Sequence, residues 1–366
     1  MTLFFDCRFI RVDHHDGISR FSSELLRALS KMTSLTALIC DKQQLRELPP
    51  GIDYLLINDP KNALLELFLP RRLNGKGASL VFSPMQTMVS VGKKYKLILT
   101  QHDLIYYKHR MPPAFLSWPI RLAWRVFHLS FTPLRILLNR ADAVVTISET
   151  TKALMQTNRL TRRPVHVIYN ASSMPAIAFG KKAPATKNLV YMGSFMPYKN
   201  VEVLIRAIQL LPEHTLTLCS KVEPRRKQQL LAGVTADTIS RIIFLDGVSE
   251  QRYLDTLDES FALVTASKDE GFGIPLIEAM SRAIPVVVSD LPIFREVASG
   301  AGRFFNPESA TEFAAAVKLL ESNDSWRQAS QACLDRSSIF DWNQSAKQLF
   351  AVIETLRNQA DPSRTS

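Results

Sequence analysis

Apolar strand-like runs alternating with amphipathic helical stretches predict an α/β protein of two domains, each with a parallel sheet covered on both faces. Three observations carry this: the 366-residue length, two successive sets of apolar runs, and one weakly periodic stretch between them. A chain of this size exceeds one typical core and suits two domains of roughly 150–200 residues. Hydrophobic residues make up 46% and charged residues 22%, with mean hydropathy near zero. That balance fits an ordinary globular protein and argues against a disordered or membrane-spanning one.

The first set of runs is Leu3–Phe5, Leu35–Ile39, Leu80–Phe82, Leu97–Leu99, Ala143–Ile147 and Val165–Ile168. The second is Leu189–Met192, Leu216–Cys219, Ile242–Phe244, Phe261–Thr265 and Pro285–Val288. Each is short and nearly continuous in apolar residues, as strands buried on both faces are. Between the sets lies SSMPAIAFGKKAPATKN, residues 172–188, rich in Ala, Pro, Lys and Ser. The expected partition is therefore a first domain over 1–173, a linker over 174–187 and a second domain over 188–341. Helical spacing of Ala346, Leu349, Phe350, Ile353 and Leu356 predicts a helix over 342–358 that packs back toward the first domain. Residues 359–366 read as a frayed tail.

Composition narrows the function classes. Cys7, Cys40, Cys219 and Cys333 are far apart, which predicts neither a disulfide framework nor a zinc site. The start MTLFFDCRFIRVD meets Asp6 too early for a signal peptide and reads as a first strand, so a cytoplasmic setting is expected. Residues 1–170 hold 24 Lys and Arg against 12 Asp and Glu, whereas residues 171–366 hold 21 against 22. An anionic partner should therefore meet the first half. No nucleic-acid-binding signature accompanies this charge, so an anionic membrane surface or phosphorylated lipid is expected rather than nucleic acid.

Four strand ends carry the candidate chemistry. After Phe261–Thr265, the loop SKDEGFGIP leads into LIEAMSRA, with Pro275 at the expected first helical position. Gly271 and Gly273 allow close backbone approach, and the free N–H groups at the helix start suit a phosphate. Glu270 and Glu278 flank the loop, where carboxylates can accept hydrogen bonds from a ribose or sugar diol. The alternative is a strand–loop–helix crossover whose glutamates merely cap or solvate the helix. In VYMGSFMPYKN, Gly193 and Ser194 follow a strand, and Lys199 could neutralise a diphosphate or simply lie on the surface. HDGISRFSSELLRAL turns into a helix at Gly17, with Arg20 in the first turn, but it lacks the G-x-G-x-x-G spacing. His102 and Asp103 follow the run Leu97–Leu99 at the carboxyl end of a strand.

Together these segments resemble the retaining glycosyltransferases of family four. The matching pieces are DGISRFSSELLRAL, the HD after a strand, ADAVVTISETTKA, VIYNA, YMGSFMPYKN, FLDGVSEQRYLDTLDES and EGFGIPLIEAMSRAIPVVVSD. The resemblance implies a GT-B architecture of two Rossmann-like domains facing a nucleotide-sugar cleft. It implies that Glu278 holds the ribose, Glu270 the donor sugar and Lys199 the diphosphate, and that His102 lies against the transferring sugar. Gly17, Arg20, Gly193, Ser194 and Gly271 to Ile274 line the donor, and no metal or other cofactor is required. The family pairs the lysine with an arginine after the strand glycine, where this chain has Ser194. The expected reaction moves a hexose, mannose favoured, from a nucleotide-diphosphate sugar to a glycan or lipid-linked glycan in cell-surface polysaccharide synthesis. The competing classes are a relative that uses phosphate or water as acceptor and a catalytically silent sugar-nucleotide-binding or scaffolding subunit. The presence of Glu270, Glu278, Lys199 and His102 argues against silence.

Residues 104–141 contain no carboxylate but hold Lys108, Arg110, Arg121, Arg125, Arg135 and Arg140 among Phe115, Trp118, Trp124, Phe127 and Phe131. Trp118, Arg121 and Arg125 share one helical face, which suits docking on anionic headgroups; a core helix with solvated arginines is the alternative.

Overall fold

The computed structural model describes residues 2–12, 16–112, 118–175 and 183–360. The chain divides into two compact units, Met1–Ala171 with Asp341–Ser366, and Ser172–Phe340.

Among the described residues the first unit holds seven strands: β1 Thr2–Asp6, β2 Thr36–Ile39, β3 Asp53–Leu56, β4 Ala78–Ser83, β5 Lys96–Gln101, β6 Ala143–Thr146 and β7 Val165–Val167. Their order is β3-β2-β1-β4-β5-β6-β7, all parallel, with Phe4 of β1 paired to Thr36 on one side and Val81 on the other. Phe5, Phe82, Leu97, Leu99 and Val144 are fully buried because helices cover both faces. The helix Trp342–Ala360 belongs to this unit and packs on Gly17–Leu29 through Ala346, Leu349 and Ile353, all buried. Trp342 meets Phe21 edge-on at 6.1 Å, and Ser345 Oγ donates to the Tyr169 carbonyl at 2.7 Å.

The second unit holds β8 Lys187–Tyr191, β9 His214–Leu218, β10 Ile242–Phe244, β11 Ala262–Thr265, β12 Val286–Ser289 and β13 Arg303–Phe305. The parallel order is β10-β9-β8-β11-β12-β13. Trp326 is buried under this sheet and donates its indole N–H to the Phe261 carbonyl at 2.8 Å.

Strands β3 and β13 have no counterpart among the expected runs. Both are edge strands of three or four residues: β13 has only two apolar residues beside Arg303, whereas β3 lies in the apolar run of residues 54–57, which the expected set omits. The unit boundary falls before Ser172 rather than at 173/174, because the start of the expected linker is held to the second unit. Ser281 Oγ bonds Ser172 Oγ at 3.2 Å, and Arg282 donates to the Pro175 carbonyl at 2.7 Å. Residues 176–182 of that linker and 361–366 of the expected tail lie outside the described residues. Pro275 occupies the second helical position, not the first, since Gly273 caps Ile274–Ser281.

Candidate active site

In each sheet the strand order reverses once, between β1 and β4 and between β8 and β11. Connections on the two sides of such a point leave in opposite directions and open a crevice outside the carboxyl ends.

In the second unit, the loops after β8 and β11 are tied together across this crevice. Asn200 adopts the left-handed conformation (φ 54°) and its amide donates to the Ala266 carbonyl at 3.2 Å and to the Pro307 carbonyl at 2.6 Å. The Lys268 N–H donates to the Tyr198 carbonyl at 2.7 Å. These ties bring Lys199 Nζ to 2.5 Å from Glu270 Oε2, both side chains being largely but not wholly buried. The helix Ile274–Ser281 follows immediately, and Glu278 in its second turn is 4% exposed. Gly273 has φ 91°, and a Cβ there would lie 3.0 Å from the Phe294 ring, so both backbone and space demand glycine. Gly271 and Phe272 are buried beside it, with Phe272 edge-on to Phe340 at 5.7 Å, while Ile274 and Pro275 are half-buried. A helix start of this kind offers N–H groups without intrahelical acceptors and a partial positive charge.

Gly193 follows β8, and its N–H donates to Ser220 Oγ at 3.1 Å. A Cβ at Gly193 would lie 2.8 Å from the hydroxyl of Tyr191, which donates to the Ser194 carbonyl at 2.6 Å. Gly193→Ala should therefore displace a buried hydroxyl and cost about 1–3 kcal/mol in urea unfolding. Tyr191→Phe in the same chain should recover part of that loss; a Gly193→Ala midpoint equal to wild type would refute the packing argument. Ser194 itself is exposed. The guanidinium that reaches this loop is Arg226, which donates to the Phe195 carbonyl at 3.0 Å and pairs with Glu202 at 2.6 Å. Its charge is thus engaged by Glu202, and its role is to hold the loop. Asn200, Tyr191 and Arg226 were not singled out in the sequence. Only Asn200 carried a signal, as an asparagine between Lys199 and an apolar helix start.

In the first unit, Asp16 caps Gly17–Leu29 by accepting from the Ser19 N–H at 2.9 Å. Gly17 is the first helical residue and Arg20 lies in the first turn, its N–H bonded to the Asp16 carbonyl. His102 directly follows β5. Its Nε2 lies 2.7 Å from the Pro84 carbonyl and its ring meets Phe21 edge-on at 5.1 Å. A carbonyl only accepts, so Nε2 carries the proton and Nδ1 is an acceptor. Asp103 Oδ1 accepts from the Ile105 N–H at 2.9 Å. The structure therefore places Gly17, Arg20 and His102 at the crevice edge of one sheet. It places Gly193, Ser194, Lys199, Glu270, the 271–274 loop and Glu278 at that of the other.

Burial pushes the His102 imidazole down to about 4, and that of His214 in β9 likewise to about 4. Both stay neutral in the folded chain where an unfolded histidine titrates near 6.5. Protons are then taken up by the unfolded state first, so stability is lost as pH falls from about 6.5 to 4. Urea unfolding at pH 5 should give a free energy about 2–3 kcal/mol below that at pH 7, allowing for solvent screening at the partly exposed His102. A pH-independent value would contradict neutral burial.

Among the described residues the basic aromatic stretch forms the short helix Ile105–Lys108 and two longer ones, Trp118–Phe127 and Thr132–Asn139. The first of the longer two is not a core helix: Trp118 is 76% exposed, and Ile120, Leu122 and Val126 are also exposed. Trp124 stacks on His128 at 4.0 Å, and Tyr107 bridges His128 and Phe131. Phe115 lies outside the described residues. Among the described residues no helix is long and apolar enough to cross a membrane, and no group of three or more His, Cys, Asp or Glu could hold a metal ion.

Two parallel-sheet units, each with a strand-order switch point, are the architecture of the GT-B glycosyltransferases. The family profile described as Glycosyltransferase Family 4 matches residues 15–172, and that described as Glycosyl transferases group 1 matches residues 176–333. The chain belongs to the family-four glycosyltransferases. It is similar to the O-antigen chain mannosyltransferase RfbU of Salmonella typhimurium, at 26% identity over 318 residues, 83% of this chain and 87% of that protein. Its fold matches sucrose-phosphate synthase of Thermosynechococcus elongatus with a TM-score of 0.75 at 16% identity, covering 98% and 99% of the two chains. It also matches Anabaena HepE in complex with UDP-glucose, with a TM-score of 0.70 at 17% identity, covering 97% and 100%.

Proposed function

We propose that the chain transfers a hexose, mannose favoured, from a nucleotide-diphosphate sugar to a glycan or lipid-linked glycan, with retention of configuration and without a metal. The observation that carries this reading is the Lys199–Glu270 contact at the switch point of the second sheet, at the start of the helix that bears Glu278. Mannose and the glycan acceptor are supported by the O-antigen mannosyltransferase named above, and a nucleotide-sugar donor by the structural neighbour that holds UDP-glucose.

In this reading Glu278 accepts hydrogen bonds from the ribose. Lys199 and the helix start at Phe272–Ile274 take the diphosphate, with Gly193 and Ser194 beside it. The bond from the anomeric carbon to the diphosphate oxygen breaks with its electron pair passing to that oxygen. The acceptor oxygen bonds to the same face, and its proton goes to the departing phosphate. Positive charge develops near the anomeric carbon, where Glu270 stabilises it. His102 stays neutral near pH 7, so it adds no opposing charge, and its Nδ1 can accept from a sugar hydroxyl. Exposed apolar side chains and arginines on 104–141 support docking of the first unit on an anionic membrane at the cytoplasmic face.

The test is a thermal-shift panel of UDP-, GDP-, ADP- and TDP-sugars, followed by NMR assignment of the product anomer with and without EDTA. One donor should raise the melting midpoint, and its anomer should persist in an EDTA-insensitive product. An inverted product, a requirement for metal, or no stabilising donor would each count against the corresponding part of the reading.

A further inference from the structure

The first unit carries a second basic feature outside 104–141. An open groove of about 960 Å³ lies between the helix Thr132–Asn139 and residues 156–163. Arg135, Arg159, Arg162 and Arg163 line it, Ile136 projects into it half exposed, and no carboxylate lines it. The residues involved lead into β6 and β7, so the groove sits at the amino-terminal ends of those strands. His102 and Gly17 lie at the opposite, carboxyl edge of the same sheet.

Helix capping explains half of this cluster. Arg135 donates to the Asn158 and Arg159 carbonyls at 2.9 and 3.2 Å, and Arg163 to the Asn139 carbonyl at 3.0 Å. Those carbonyls end the helices Glu149–Thr157 and Thr132–Asn139, where positive side chains are favourable. Two helix ends carry roughly half a negative charge each, so the four guanidiniums leave a clear positive excess. Arg159 and Arg162 are exposed, and among the described residues their side chains make no hydrogen bond or ion pair. Arg159 also holds a left-handed backbone (φ 49°), which a non-glycine residue adopts at a cost. Capping therefore leaves these two cations unexplained.

A ring pathway joins the groove to the exposed helix. Arg135 lies over Phe131 at 6.0 Å, Phe131 packs on Tyr107 at 4.4 Å, Tyr107 on His128 at 4.9 Å, and His128 stacks on Trp124. Leu129, which follows His128, and Ile136 in the groove are both more than half exposed. A free phosphate would use the arginines but not these apolar side chains. A bilayer surface offers anionic phosphate beside acyl chain, which matches both.

We propose that the groove formed by Arg135, Arg159, Arg162 and Arg163 binds the phosphate of an anionic phospholipid headgroup while the helix Trp118–Phe127 enters the adjoining interface. This rests on the membrane docking proposed above and adds the site that reads the charge. Arg135 and Arg163 hold the loop, and Arg159 and Arg162 contact the lipid.

The test is sedimentation of the full chain at low salt with phosphatidylcholine vesicles, alone or with about one third phosphatidylglycerol. Three variants accompany wild type: Arg159→Asn with Arg162→Ala, Arg162→Glu alone, and Trp118→Ser with Leu122→Ser. Asparagine tolerates the left-handed backbone, and Arg162→Glu changes an exposed side chain, so at least one groove variant keeps the fold. Wild type should prefer the anionic vesicles, and each groove variant should lose roughly tenfold or more in partition. The helix variant should lose binding by insertion while keeping the preference for anionic over neutral lipid. Failure of wild type on anionic vesicles removes docking and groove together. Groove variants that bind like wild type, or equal wild-type binding to both vesicles, remove the groove and leave docking. Stabilisation of wild type but not the variants by inorganic phosphate, with vesicle binding unchanged, would make it a soluble-phosphate site and overturn the proposal.

Discussion

Lys199→Ala is expected to lower kcat for sugar transfer about 10²–10³-fold, the usual loss when one preorganised donor to a developing anion is removed. Lys199 Nζ is held by its 2.5 Å contact with Glu270 and by the Tyr198–Lys268 and Asn200–Ala266 bonds on either side of it. Little reorganisation is therefore needed when the diphosphate leaves. A unit charge about 4 Å away in a partly dry crevice is worth roughly 4 kcal/mol. That is enough for the predicted loss even after screening. Ser194 stands where a second cation is usual, and Arg226 is engaged by Glu202, so little can compensate within this loop. The fold should persist, because the Glu270 carboxylate left behind still reaches solvent. Lys199→Arg should recover part of the rate. Glu270→Ala should cost a similar factor, and the double variant should lose much less than the product of the two. A Lys199→Ala enzyme within threefold of the wild-type kcat would sink the assignment.

Glu278→Ala should act on a different constant. Its carboxylate is buried in the second turn of Ile274–Ser281, and the proposed reading has it accept from the ribose. Ribose contacts do not change as the glycosidic bond breaks, so they stabilise ground and transition states equally. Two charge-assisted hydrogen bonds at about 1.5–3 kcal/mol each, less the water that replaces them, predict a donor KM raised about 10–100-fold with kcat little changed. The thermal shift given by the nucleoside diphosphate should shrink in step. A loss confined to kcat would place Glu278 at the reacting bond instead. Glu278→Gln, which keeps the volume, separates a lost hydrogen bond from a cavity beside Ile277.

Both predictions use residues visible in the sequence. Among the described residues eleven of the thirteen strands coincide with short apolar runs, as a parallel strand buried on both faces should, although the edge strands β7 and β10 are only partly buried. The loop 271–274 is legible because glycines between an apolar run and a helix start have few structural uses. In ADAVVTISETTKA the sequence offers Ser148 or Thr150 as a helix cap, and the structure has Ser148 accept from the Thr151 N–H. The sequence thus determined by itself the α/β class, the succession of its elements and the residue types at the strand ends.

Tertiary structure decided what those residues do to one another. Lys199 and Glu270 are 71 positions apart and meet only because β8 and β11 are neighbours. The neutrality of His102 comes from burial and from the Pro84 carbonyl, 18 positions away. Gly193 is required by the Tyr191 hydroxyl rather than by a positive φ, which no spacing reveals. Which way the helix Trp118–Phe127 faces was not legible either, since an apolar helix has the same pattern whether it meets a core or is exposed. Local pattern reflects each residue's own burial and backbone preference, whereas charge pairing and proton affinity depend on neighbours that the sheet order supplies.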